Sequence, residues 1–123
     1  MDSKLMNIVF ICDDNYAMPT AVAIESLHKN RSASSEYCIH VVCCNVSPEN
    51  AQKFRSLSEN GFDVVTIPAA TPREAKKLEK KNIHVSTAAL LKFELADMFP
   101  DLDKVLYLDG DILVRSDLAP LCD

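Results

Sequence analysis

Two carboxylates, one residue apart, stand inside the most apolar stretch of the sequence. Asp109 and Asp111 flank Gly110, with VLYL before them and ILV after them. Like charges at this spacing repel each other, and a bound cation offsets that cost. Carboxylate oxygens suit Mg²⁺ or Mn²⁺, which keep other coordination positions open for phosphate oxygens. An Asp-Gly pair between apolar runs is also typical of a β-hairpin turn, so the pattern favours either a metal site or a turn.

A second acidic cluster follows the first apolar run of the chain. The run covers residues 6–12 and is continuous, as in a strand that is buried on both faces. Asp13, Asp14 and Asn15 come directly after it. Such a cluster can cap the helix that follows, or it can face a ligand at the end of a strand.

Strand-like and helix-like segments alternate along the chain, which predicts an α/β fold with a mostly parallel sheet and helices on both faces. Strands are predicted over 6–12, 37–44, 62–67 and 104–108, with a fifth candidate over 112–114. Helices are predicted over 19–30, from Ser47 as N-cap to Gly61 as left-handed C-cap, and over 86–98. If strands 6–12 and 104–108 are central neighbours, the two acidic clusters share one crevice at their carboxyl ends.

Composition excludes several functional classes. The 123-residue chain has a formal net charge of −5, which argues against binding nucleic acid or an anionic membrane surface. No apolar run approaches the roughly 20 residues of a membrane span, and the N-terminus lacks signal-peptide features. Only two glycines are present and no Gly-rich phosphate loop occurs, so a metal would have to hold the phosphates of a nucleotide. The five cysteines show no metal-ligand spacing, which favours reduced thiols in a cytosolic protein.

The residues around both acidic clusters resemble glycosyltransferase family 8, the retaining family that includes glycogenin and bacterial lipopolysaccharide galactosyl- and glucosyltransferases. LDKVLYLDGDILV, residues 102–114, is similar to the family block that carries its metal-binding DxD motif. IVFICDDNY, residues 8–16, resembles the first strand and the nucleotide-contacting loop, and residues 84–92 fit a third, weaker motif. The resemblance implies a Rossmann-like nucleotide-binding domain of the glycosyltransferase A type. Residues 1–123 would form one nucleotide-sugar-binding domain, the N-terminal portion of a larger enzyme.

The resemblance also implies roles for matched positions. Asp13 would accept a hydrogen bond from the uracil ring, Asn15 would contact the ribose, and Tyr16 would stack on the base. Asp109 and Asp111 would bind Mn²⁺, or Mg²⁺, across the diphosphate, with Gly110 between them also at the nucleotide. Ser86 precedes the donor-site helix, and Lys92 replaces the usual arginine, which keeps the charge but loses the planar fork. No catalytic residue is expected within the chain.

The implied reaction transfers a hexose, glucose or galactose, from a UDP-sugar to an acceptor hydroxyl with retention of anomeric configuration. The acceptor would be a glycan, a lipopolysaccharide or a protein-linked sugar, and the location cytoplasmic, peripheral to the inner membrane through a later part of the protein. The sheet would expose apolar surface that such a part covers, which predicts self-association or limited stability. A non-catalytic nucleotide-sugar-binding module is the alternative. A phospho-acceptor receiver domain is disfavoured because strand 62–67 is not followed by the aspartate that it requires.

Overall fold

The computed structural model describes residues 4–69, 98–102 and 104–122, which form a parallel sheet flanked by helices. The strands are β1 (Lys4–Asp13), β2 (Ser35–Cys44), β3 (Phe62–Pro68) and β4 (Leu106–Tyr107). The helices are α1 (Ala17–Asn30), α2 (Pro48–Arg55) and the short α3 (Ala119–Cys122), and a 3₁₀ turn (Asp14–Tyr16) joins β1 to α1. The strands and the first two helices therefore follow the predicted alternation.

The four described strands are all parallel and lie in the order β3-β2-β1-β4. The chain moves from β1 to β2 and β3 on one side, and then crosses back to place β4 on the other side of β1. The gap between β1 and β4 is consequently the topological switch point, where open α/β sheets bind ligands. β1 is central as predicted, whereas β4, also predicted to be central, lies at the edge of the described sheet.

The core explains why β1 is apolar without interruption. Ile8 and Phe10 belong to one buried cluster, together with Ile24 of α1 and Phe54 of α2. The intervening β1 residues belong to a second cluster, which partly buried Met98 and Phe99 cover. Both faces of β1 are thus buried, and a strand of this kind reads as a continuous hydrophobic run.

The predicted end of α2 is wrong. The helix ends at Arg55 with Ser56 as its C-cap, and Gly61 does not cap it. Gly61 does have the positive φ, 77°, that a left-handed C-cap requires. It lies, however, in a tight turn where Glu59 and Phe62 exchange backbone hydrogen bonds of 2.8 and 2.9 Å. Glycine is favoured at the third position of such a turn because it adopts a positive φ without steric cost.

Residues 112–114, which are among the described residues, form no strand. Asp109-Gly110 is therefore not the turn of a β-hairpin, and that interpretation is wrong. The segment instead lies against α1, where Val114 N donates to Ser26 Oγ at 2.8 Å and Asn30 Nδ2 donates to Val114 O at 2.9 Å. These side chains satisfy the polar backbone groups of a buried residue without a neighbouring strand. Val114 is therefore buried in the core and Ile112 packs against it, whereas Leu113 is exposed.

The predicted helix over 86–98 lies outside the described residues except for its last position. None of the helices in the described part of the chain has the length and apolar character needed to cross a membrane.

Candidate nucleotide and metal site

The carboxyl end of β1 leads directly into a short polar loop. Asp13 is the last residue of the strand, and its Oδ1 accepts a hydrogen bond of 3.1 Å from the backbone N–H of Tyr16. Asp13 therefore caps the 3₁₀ turn but not α1, whose N-cap residue Tyr16 makes no capping hydrogen bond through its side chain. Asn15 and Tyr16 are exposed, and the Tyr16 side chain, at 56% exposure, leaves its ring accessible to a flat ligand.

Asp14 fastens this loop to the start of α2. Its Oδ1 accepts hydrogen bonds of 2.9 Å from the Ser47 backbone N–H and from Asn50 Nδ2. The bond from the Ser47 backbone, followed by that from Asn50, lowers the pKa of the Asp14 carboxyl below its usual range. No local feature of the sequence predicts this role of Asp14, because its partners lie at the start of α2, more than 30 residues further along the chain.

Gly110 brings the second acidic cluster against the first turn of α1. A Cβ atom added to Gly110 would lie 3.3 Å from Thr20 Cβ and would collide with Thr20 Oγ1. Thr20 is fully buried and belongs to the helix that begins directly after Tyr16. Because only a residue without a side chain fits here unless Thr20 moves, the loop after β4 can approach the loop after β1 closely. The structure thus brings the two clusters predicted from the sequence to one end of the sheet.

Tyr107 orients one carboxylate of the pair. Its hydroxyl donates to Asp109 Oδ1 at 3.1 Å. Burial, then this hydrogen bond and the negative charges of Asp109 and Asp111, raise the pKa of Tyr107 to about 12. Both carboxylates are exposed to solvent.

The donor set at this point suits a hard divalent cation. The described residues contain no cluster of three or more His, Cys, Asp or Glu side chains that could enclose a metal ion. Mg²⁺ and Mn²⁺ do not need such a cage, because one or two carboxylates plus substrate phosphates and water complete their coordination. Asp109 and Asp111 fit that pattern. Ser86 and Lys92, also predicted to contact the nucleotide, lie outside the described residues.

Known proteins resemble this chain in both sequence and fold. The lipopolysaccharide 1,3-galactosyltransferase of Salmonella typhimurium is 26% identical over 99% of this chain and 36% of its own length. Probable galacturonosyltransferase 13 of Arabidopsis thaliana is 44% identical over 46% of this chain and 11% of its own length. The chain therefore spans about a third or less of these two relatives.

Solved structures confirm the predicted Rossmann-like fold of the glycosyltransferase A type. An active-site mutant of LgtC has a TM-score of 0.77 and 34% identity over 96% of this chain and 42% of its own. Galactosyltransferase LgtC in complex with donor and acceptor sugar analogs also has a TM-score of 0.77, with 31% identity over the same shares.

A family model confirms the resemblance noted in the motifs. The model of glycosyl transferase family 8 matches residues 7–123, which include both acidic clusters and nearly the whole sequence. The chain belongs to glycosyl transferase family 8.

Proposed function

We propose that this chain forms the donor site of a retaining hexosyltransferase that binds a UDP-sugar through a divalent cation. The observation that carries the proposal is the meeting of two polar clusters at the β1–β4 switch point, with Gly110 seated on Thr20. Open α/β sheets bind nucleotides at this position. Because the chain has no Gly-rich loop, the phosphates require another source of positive charge. The two carboxylates are suited to bind a divalent cation that supplies it.

Each residue of the proposed site contacts the nucleotide or the cation, or positions a residue that does. Asp13 and Asn15 bind the nucleoside, and the exposed ring of Tyr16 stacks on the base. Asp109 and Asp111 hold Mn²⁺ or Mg²⁺, with Tyr107 fixing the orientation of Asp109. A divalent cation bound here would supply Lewis-acid stabilisation of the diphosphate leaving group. Ser86 and Lys92 are proposed to complete the donor contacts, with Lys92 adding positive charge near the diphosphate or the sugar.

The proposed sugar and acceptor follow from the relatives. One relative is named a lipopolysaccharide galactosyltransferase, and one similar structure holds donor and acceptor sugar analogs. We therefore propose a hexose donor, glucose or galactose, and a glycan or lipopolysaccharide acceptor. The free thiols among the described cysteines are consistent with the proposed cytoplasmic location, because reducing compartments keep thiols unpaired. Self-association and peripheral contact with a membrane stay predictions.

A calorimetric titration of UDP into the purified chain tests the proposed donor site. We expect saturable binding with Mn²⁺ present and loss of binding when EDTA removes the ion. Circular dichroism in the same buffers shows whether the protein is folded in both conditions. Equal binding with Mn²⁺ and with EDTA would contradict a metal-dependent site, and the absence of binding by a folded chain would contradict a donor site in this chain.

Replacing Asp14 by alanine is expected to weaken UDP binding severalfold. The substitution removes two hydrogen bonds that hold the nucleotide loop against α2, so the loop loses its fixed position without losing a ligand contact. Affinity measured by the same titration would report the change. Glu49→Ala is the matched control, since it removes an acidic side chain from the first turn of α2 and should leave the affinity unchanged. Equal affinities for the two variants would show that the Asp14 contact does not position the loop.

A further inference from the structure

Two cysteines face each other across neighbouring strands just below the nucleotide loop. Cys12 of β1 and Cys43 of β2 are Cα partners in the parallel register, one position before the strand-end pair Asp13 and Cys44. Both belong to the buried cluster that α1 and α2 cover, whereas Cys44 belongs to the cluster on the opposite face of the sheet. The thiols of Cys12 and Cys43 therefore lie on one face at one level of the sheet.

The register places these residues within reach of a covalent bond. Neighbouring strands lie about 4.8 Å apart. Disulfides join residues whose Cα atoms are roughly 4.4–6.8 Å apart. Cys43 is also held from β3, where Pro68 is its Cα partner and Ala69 N donates to its carbonyl at 3.0 Å, so the bond would close by a small movement of the two side chains. The contact between Cys43 Sγ and the Val41 carbonyl, at 3.5 Å, is a weak thiol hydrogen bond and opposes that movement little.

Cys43 is also accessible to a small reagent. It lines a cavity of about 360 Å³ at the ends of β2 and β3, together with Asn45, Arg55 and Thr66. Cys12 is 1% exposed, so a reagent in this cavity meets Cys43 first. The Arg55 guanidinium donates to Thr66 Oγ1 at 2.8 Å and to Gln52 Oε1 at 2.9 Å, which are both uncharged acceptors.

The surroundings favour ionisation of one thiol over the other. A hydrogen bond from Cys12 and, to a lesser extent, contact with the Ile67 backbone and the charge of Arg55 lower the pKa of Cys43, although burial opposes this effect. The same thiol–thiol contact and burial raise the pKa of Cys12. Since thiolates are the nucleophilic form and Cys43 lines the cavity while Cys12 is 1% exposed, Cys43 is the attacking thiol and Cys12 the partner that follows.

We propose that Cys12 and Cys43 are a redox-sensitive pair that a peroxide converts to an intramolecular disulfide. The Cys43 thiolate attacks one oxygen of hydrogen peroxide, which forms an S–O bond, breaks the O–O bond and releases hydroxide that is protonated to water. The Cys12 sulfur then attacks the sulfenic sulfur, which forms the S–S bond and expels the second water. Two thiols are oxidised, and one peroxide is reduced to two waters. The bond ties the strand that carries the nucleotide loop to its neighbour, and it does not depend on the proposed sugar donor.

Peptide mapping of the peroxide-treated chain tests this pair. Trypsin leaves Cys12 on the peptide 5–29 and leaves Cys38, Cys43 and Cys44 together on the peptide 32–53. After hydrogen peroxide, alkylation and digestion without reductant, we expect these peptides to be linked within one molecule and to separate with dithiothreitol. Fragmentation of the linked peptide should assign the bond to Cys43. This measurement on the unaltered protein does not depend on whether any variant folds.

Cysteine variants provide matched controls. Cys12→Ala and Cys43→Ala should each abolish the linked peptide, while Cys44→Ala and Cys38→Ala should retain it. Circular dichroism checks that every variant is folded before oxidation. A peptide 5–29 that stays unlinked, a bond assigned to Cys44 or Cys38, or a link that joins two molecules would overturn the proposal.

Discussion

Replacing Asp109 and Asp111 together by asparagine should reduce the affinity for UDP in the presence of Mn²⁺ by at least about a hundredfold. Substitution of groups that only support metal ligands typically costs about 10- to 100-fold in metal affinity. Removal of both proposed ligands should cost no less. The amides retain the shape of the side chains but lose the negative charges that attract the cation. Calorimetric titrations of UDP with the variant and the unaltered chain, at the same Mn²⁺ concentration, measure the difference.

A matched control separates this effect from a general change in charge. Asp63 lies near the start of β3, at the amino end of the sheet and away from the proposed site, and Asp101 lies in the turn that precedes β4 in the chain. Both are exposed. The double variant Asp63→Asn, Asp101→Asn also removes two negative charges, and it should leave the affinity for UDP unchanged. If the Asp109 and Asp111 variant, shown to be folded, bound UDP with Mn²⁺ as tightly as this control, the two carboxylates would not hold the ion.

The second large effect is on stability and concerns Asp117, which joins the segment after the metal motif to the rest of the sheet. Its carboxylate accepts hydrogen bonds from Tyr37 Oη at 2.6 Å, Ser35 Oγ at 2.9 Å and the Ser32 backbone N–H at 3.1 Å. It also accepts one from the Ala119 backbone N–H at 3.3 Å. Tyr37 is 1% exposed, so its hydroxyl has little access to water as a substitute partner.

Asp117→Ala should lower the free energy of unfolding by about 3 kcal/mol, because it leaves several donors at this partly buried position without their acceptor. Urea unfolding followed by circular dichroism measures the change. Asp101→Ala removes an exposed carboxylate elsewhere and should change the unfolding free energy by no more than about 0.5 kcal/mol. A loss in the Asp117 variant as small as in this control would show that the hydrogen bonds of Asp117 contribute little to stability.

The same carboxylate predicts a dependence of stability on pH. Partial desolvation opposes ionisation, but hydrogen bonds from Tyr37, Ser32, Ser35 and Ala119 outweigh it and lower the pKa of Asp117. A group whose pKa is lower in the folded state contributes stability above its unfolded pKa, about 3.9, and loses it as the pH falls through the folded value. The difference in stability between the unaltered chain and Asp117→Ala should therefore shrink below about pH 4. A constant difference from pH 7 to pH 2 would contradict this linkage.

Local signals in the sequence were enough to predict most of the regular elements. The apolar runs that became β1, β2 and β3 were located to within two residues at each end, because a strand buried on both faces has few polar residues. The start of α2 was predicted from Ser47 and Pro48, and Ser47 Oγ does accept from Asn50 N at 3.2 Å. The family was identified from the motifs around the two acidic clusters, and the family model confirms it.

The same local signals misled where a residue type has two uses. The sequence pattern favours Gly61 as a helix cap, but a positive φ serves a tight turn equally well, and Gly61 lies in the turn between Glu59 and Phe62. The apolar residues 112–114 were interpreted as a strand, yet Val114 is buried against α1 with its backbone bonded to helix side chains. β4 was predicted over 104–108 but pairs only at Leu106 and Tyr107, with one further bond from Leu108 N to Val9 O.

The sequence by itself determined which residues are candidates for the site, because Asp13, Asn15, Tyr16, Asp109 and Asp111 stand in short motifs at the ends of apolar runs. Tertiary structure decided how they are held. The motifs alone did not reveal four contacts. These join Asp14 to the start of α2, Gly110 to Thr20, Tyr107 to Asp109 and Asp117 to Tyr37. Three of them join residues far apart in the chain, and such pairs become neighbours only when the parallel sheet brings separate segments to one edge. The fourth depends on a rotamer that packing selects.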